Sequence, residues 1–141
     1  MLVRSAAFAD LGPFELYGLL RLRTDVFVVE QRCPYPDLDG RDTEPTARHH
    51  WVELDGQVVA CLRVLSEPDG ASRVGRVATA PSTRRRGLAG LLLRRALADL
   101  PRPVVLHAQA HLADWYARFG FVRDGEDDVD AGILHTPMRL T

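Results

Sequence analysis

Residues 75–100, GRVATAPSTRRRGLAGLLLRRALADL, constrain the fold more tightly than any other stretch. An apolar strand ends at Pro81-Ser82, three arginines and a glycine follow, and a leucine-rich helix begins. Leu88, Leu91, Leu92, Ala96 and Leu100 recur at helical spacing, which predicts a helix from about Gly87 to Leu100. Pro101 and Pro103 stop it. The next apolar run, VVLHAQA, reads as a buried strand. Ser72 to Ala110 is therefore a strand–helix–strand unit, and such crossovers are right-handed.

The flanking segments extend this unit into a mixed sheet. Leu2 to Phe8 reads as a strand, with Asp10 as helix cap and Pro13 in the first turn. Phe14, Leu16, Tyr17, Leu20 and Phe27 mark a helix ending near Phe27, although VFVVE extends the apolar run by another turn. Residues 31–48 carry Pro34, Pro36, Gly40 and Pro45 and read as a long loop, a length that is often functional. HHWVEL and QVVACLRVL flank Asp55-Gly56, a tight hairpin signal. Pro68-Asp69-Gly70 makes a second turn before the strand at Ser72. A short helix follows near Ala113–Phe119 and ends at Gly120. Two last strands fall near 121–126 and 133–140. The expected fold is α/β (α+β), with about six to seven strands and helices on both faces. All 141 residues fit one domain.

Composition excludes several functions. All 18 basic residues are arginine, so the chain has no lysine Schiff base and no GxxxxGK[ST] phosphate loop. A net charge of -1 argues against nucleic acid as a partner. Cys33 and Cys61 lie in no metal or redox spacing, which fits a reducing cytoplasm. No apolar run approaches membrane-spanning length. His49 and His50 alternate across a strand, and no HExxH is present, so no metal site is expected.

Chemistry concentrates at the start of the 87–100 helix. Its first amides lack internal partners and meet the positive end of the helix dipole, which suits an anion. Gly87, Ala89 and Gly90 let a phosphate approach the backbone, and Arg84, Arg85 and Arg86 add charge. Basic residues oppose the dipole, so a purely structural helix would gain nothing from them.

Arg84-Arg85-Arg86-Gly87-Leu88-Ala89 resembles the R/Q-x-x-G-x-G/A signature of the GCN5-related N-acetyltransferase superfamily, set between strand VGRVATA and its helix. LYGLLRLRTDVFVVEQRCPYPDLDGRD, AQAHLADWYARFGF and GILHTPM narrow the resemblance to the ElaA-like branch. The resemblance implies an acyl-CoA N-acyltransferase fold whose signature amides, from about Arg85 to Gly90, bind the CoA pyrophosphate. It places Val77, Ala78 and Thr79 along the pantetheine arm, with an amide near Ala78 polarising the thioester carbonyl. It also gives Tyr116 the matching position for protonating the departing thiolate; without the resemblance, Tyr116 reads equally as a packing residue.

A protonated amine cannot attack a thioester, so a base or a water relay is needed. The candidates are Glu30, His111 and His135, of which Glu30 and His111 rank first. Glu30 follows VFVV, a setting that would raise a carboxylate pKa, and His111 follows the strand end. Asp37, Asp39, Asp42 and Glu44 make the long loop acidic, either as a solvated loop or as an attraction for a cationic acceptor. The expected reaction is acetyl transfer from acetyl-CoA, a co-substrate, to a small-molecule or peptide amine by direct attack. LRLRTDVFVVEQ also resembles acyl-homoserine lactone synthases, and a CoA-binding regulatory module without turnover is a third reading. Edge strands and the C-terminal segment could support a homodimer.

Overall fold

The computed structural model describes residues 1–141. Its strands are β1 (Leu2–Ala7), β2 (Arg48–Leu54), β3 (Gln57–Ser66), β4 (Ser72–Thr79), β5 (Val104–Gln109), β6 (Val122–Arg123), β7 (Asp128–Asp130) and β8 (Ile133–Leu140). The helices are α1 (Pro13–Thr24), α2 (Leu88–Asp99) and α3 (Ala113–Ala117). One sheet runs β1-β2-β3-β4-β5-β8-β6, with β7 also paired to β8. Every pairing is antiparallel except β4 with β5.

Two apolar layers sandwich this sheet. On one face Leu19, Leu22 and Val26 pack on Trp51, Cys61 and Ala78. On the other, Leu88, Leu92, Leu93 and Ala96 of α2 pack on Val52, Ala60, Leu62 and Val64. The Asp55-Gly56 hairpin forms as expected, both residues holding the positive φ that a tight turn demands (51° and 76°).

Several local expectations need correction. The sheet has eight strands, because Ala131 and Gly132 take positive φ (50° and 80°) and fold acidic Asp128–Asp130 back onto β8. Gly12, not Asp10, caps α1, since Pro13 occupies the first helical position and Asp10 lies in the preceding turn. Phe14 and Tyr17 are exposed; the buried stripe is Leu19, Leu22, Arg23 and Val26, and the charge within it breaks the apolar pattern. In α2 the buried residue is Leu93 rather than Leu91, and Leu100 lies just beyond the helix.

After Thr24 the chain continues as a π-helix over Asp25–Glu30. Gln31 N and Cys33 N bond back five residues, to Val26 O at 3.3 Å and Val28 O at 3.1 Å. Such wide turns often mark functional sites. β4 carries a second irregularity. Three residues of β3, Cys61 to Arg63, face four of β4, Gly75 to Ala78. Arg76 absorbs the excess as a bulge at φ 52°.

Candidate active site

β4 and β5 hold together at only two positions, Ser72↔Val104 and Arg73↔Val105. Beyond these, β4 stays with β3 as far as Thr79 while β5 stays with β8 as far as Gln109. The strands part where Arg76 bulges, and the gap opens into a cleft of about 1620 Å³. That exceeds the usual 300–1,000 Å³ or so of a drug-sized site and has room for two substrates.

One arm of the cleft is built from backbone. Positions 77–79 of β4, Arg84, Arg85 and residues 87–90 all line it; Arg86 does not. Gly87 caps α2 at φ 74°, and Leu91 N donates to its carbonyl at 3.0 Å. The amides of residues 88–90 therefore precede the first helical bond and have no partner inside the helix. A β-carbon on Gly90 would make ordinary van der Waals contact with Phe119 at 3.4 Å, which shows how closely this turn of α2 packs on the segment after α3. Arg94, which sequence reading passed over, also lines this arm, beside Gly90.

Arg84 plays a different part from the one its motif suggested. Its Nε donates to Thr79 O at 3.0 Å, and its two terminal nitrogens donate to the Glu30 carboxylate at 2.6 Å each. The side chain braces the end of β4 against the end of the π-helix. The hydrogen bonds from Arg84 hold the Glu30 carboxyl below the usual carboxylate range. This corrects the expected elevation: the apolar VFVV run does not enclose Glu30, which is half exposed and ion-paired. Arg85 and Arg94 line this arm of the cleft as well and form no ion pair.

Tyr116, His111 and Glu30 all line the same cleft. Tyr116 is buried, with Trp115 edge-on at 4.9 Å and Phe121 at 6.1 Å. Burial alone raises its pKa, with no charge or hydrogen bond contributing, so the phenol holds its proton at neutral pH. His111 is exposed on the turn between β5 and α3. Gln31, at the end of the π-helix, reaches across to Gln109 at 3.4 Å. His107 faces the cleft as well, and burial, then Arg73 and His135, lower its pKa despite Asp130 and Asp128.

The second arm is walled by residues 31–47, which are held by charge. Arg23, 2% exposed, donates to Asp37 at 2.8 Å and to Asp42 at 2.7 Å. Arg63 donates twice to Asp39 at 2.9 Å and once to Asp42 at 3.0 Å. Arg76, at the β4 bulge, donates to Tyr35 Oη at 2.8 Å and to Asp39 at 3.2 Å. Its guanidinium also lies over the Tyr35 ring at 5.0 Å. Burial works to raise the pKa of Asp39 and Asp42, but the arginines outweigh it and keep both below the carboxylate range.

For Asp37 and Asp42 neither expectation holds, since both are buried among arginines; Asp39 is exposed and lines the cleft, ion-paired to Arg63 and Arg76. Sequence reading missed Arg23, Arg63 and Arg76. The available signal was Arg63 inside the apolar stretch CLRV; Arg23 and Arg76 carried no comparable local signal. The two cysteines are unpaired. Burial pushes the Cys61 thiol up to about 12, and Cys33 donates to Ala131 O at 3.0 Å.

A mixed sheet parted between β4 and β5, with a glycine-capped helix at the mouth of the gap, defines the acyl-CoA N-acyltransferase fold. An acyl-CoA N-acyltransferase from Pseudomonas aeruginosa superposes with TM-score 0.91 at 41% identity, covering 100% of both chains. Escherichia coli ElaA superposes with TM-score 0.91 at 34% identity, covering 99% of both. A UPF0039 protein of Mycobacterium tuberculosis is 48% identical over 92% of this chain and 86% of its own length. The acetyltransferase (GNAT) domain family matches residues 25–141. The chain belongs to the GNAT superfamily and, within it, is ElaA-like. No helix is long and apolar enough to cross a membrane.

Proposed function

We propose that the 141 residues act as one cytoplasmic catalytic domain that moves the acetyl group of acetyl-CoA onto a primary amine by direct attack. The observation that carries this reading is the parting of β4 from β5 beside a helix start with three unpaired amides. A pantetheine arm fits along the open edge of β4 at Val77, Ala78 and Thr79, hydrogen-bonding as an added strand would. The pyrophosphate then meets the amides from about Arg85 to Gly90, with Arg85 and Arg94 supplying charge. The likeness to an acyl-CoA N-acyltransferase supports an acyl-CoA donor.

The chain's own groups supply the rest of the chemistry. An amide near the bulge polarises the thioester carbonyl. The amine nitrogen bonds to the carbonyl carbon, the carbon–sulfur bond breaks, and Tyr116 protonates the departing thiolate. Direct attack is favoured over an acyl-enzyme: a thiol held near 12 is a poor nucleophile, and Cys33 is tied to a carbonyl. The acceptor is a small-molecule or peptide amine reaching the cleft from the β7 side, where Asp128 and Asp130 attract a cation. The test is to incubate the protein with acetyl-CoA and a panel of primary amines and follow thiol release and acetylated product by mass. Stoichiometric thiol and acetyl-amine support the reading. Tight CoA binding without product across the panel would favour a regulatory module instead.

A further inference from the structure

We propose that His135 is the base that removes the proton from the acceptor amine, an inference that rests on the acetyl-transfer reading above. His135 Nδ1 lies 2.8 Å from Ile133 O. A carbonyl only accepts, so Nδ1 carries the hydrogen, and the neutral ring leaves a lone pair on Nε2. The ring is half buried and lines the cleft. A histidine with one nitrogen pinned to backbone and the other open to a site is built to accept a proton.

Sheet register places this ring beside the reacting atoms. His135 pairs with Gln109 on β5 and with Asp128 on β7, and cross-strand partners share a face. The neighbours Ala108 and Thr136 are buried on the opposite face, beneath which Tyr116 packs. Gln109 and the 77–79 segment of β4 line the same cleft, on the two sides of the gap between β4 and β5. Gln109 and His135 thus stand side by side on strands about 4.8 Å apart, across the gap from the 77–79 segment proposed for the thioester. The base stands on one face and the acid Tyr116 on the other.

The competing groups are engaged or unoriented. Both Glu30 oxygens accept from Arg84. His111 sits on an exposed turn, and neither it nor His107 has a hydrogen bond that fixes its tautomer.

In the step, the ammonium form of the amine gives one proton to His135 Nε2. The freed nitrogen lone pair bonds to the thioester carbon. The carbon–sulfur pair leaves on sulfur, which takes the Tyr116 proton. The protonated amide returns a proton to Tyr116, and His135 releases its own to water.

The test uses His135→Asn, because the asparagine amide still reaches Ile133 O while the Nε2 position is lost. Acetyl-CoA affinity and far-UV circular dichroism should match the wild type. Rates are compared on trifluoroethylamine, glycinamide, ethanolamine and cyclohexylamine, a series of rising basicity. The substitution should cost less than about 10-fold on the first and about 100-fold or more on the last, the range of general-base effects. An equal loss on all four, or no loss, overturns the assignment while leaving acetyl transfer intact. A wild type that binds acetyl-CoA yet acetylates none of the four overturns the underlying reading as well.

Discussion

The two arms of the cleft are made by opposite means. The arm running from β4 into α2 is shaped by backbone: a parted strand pair, a bulge at Arg76 and a left-handed glycine cap at Gly87. The wall formed by residues 31–47 has no strand or helix of its own and is held by Arg23, Arg63 and Arg76 against Asp37, Asp39 and Asp42. A site made of amides recognises a shape and charge common to every CoA ester. A wall made of side chains can change its lining while the amide-lined arm stays the same. On the proposed reading the contrast separates a general donor site from a particular acceptor site, and Arg76 joins the two arms, since it both makes the bulge and holds Tyr35.

The largest effect should come from cutting the charged wall. Arg23→Ala removes the deepest-buried partner of both Asp37 and Asp42, leaving Asp37 only Arg76 and Asp42 only Arg63, and breaking a buried charge network in this way costs up to about 3–5 kcal/mol. Urea denaturation measures this; a loss under about 1 kcal/mol would mean that charge does not hold the wall. Next, Tyr116→Phe should lower kcat about 100-fold, or about 2.7 kcal/mol in the barrier, with stability nearly unchanged because the hydroxyl has no partner in the fold. A variant that loses stability instead would make Tyr116 a packing residue.

A smaller, graded effect concerns pH. The pKa values of Asp39 and Asp42 are depressed in the fold, so each contributes stability at pH values above its unfolded pKa of about 3.9. That contribution is lost as pH falls below about 4, through the folded values. Melting temperature should drop there, and Arg23→Ala should flatten the drop. The smallest effect belongs to Glu30→Gln. The pair with Arg84 is about 40% exposed on both sides, so stability should fall by less than about 1 kcal/mol. Donor affinity should change more than stability if the brace positions the signature loop.

The same contrast explains what could be read from the chain before folding. The donor arm is contiguous: strand, turn, arginines, glycine and helix follow one another within residues 72–100, so local rules find it. The wall depends on arginines from α1, β3 and β4 meeting aspartates in a loop, and no local rule brings them together. Arg23 sat inside a helix stripe and made α1 look turned toward Phe14 and Tyr17. β7 hid because Asp128-Val129-Asp130 has little strand propensity and forms only because Ala131-Gly132 folds it onto β8. Glu30 was placed in the cleft but given the wrong titration, since its partner lies 54 residues away.

Acetyl-CoA binding by calorimetry tests the central claim most directly, with wild type and Ala89→Glu. Ala89 lies in the first turn of α2 and lines the cleft, and glutamate there avoids the strained φ of 74° at Gly87. Wild type should bind, and the added carboxylate should weaken binding at least about tenfold, or about 1.4 kcal/mol, in a protein of unchanged melting temperature. No binding by the wild type, or equal binding by both proteins, would contradict a donor site at the start of α2.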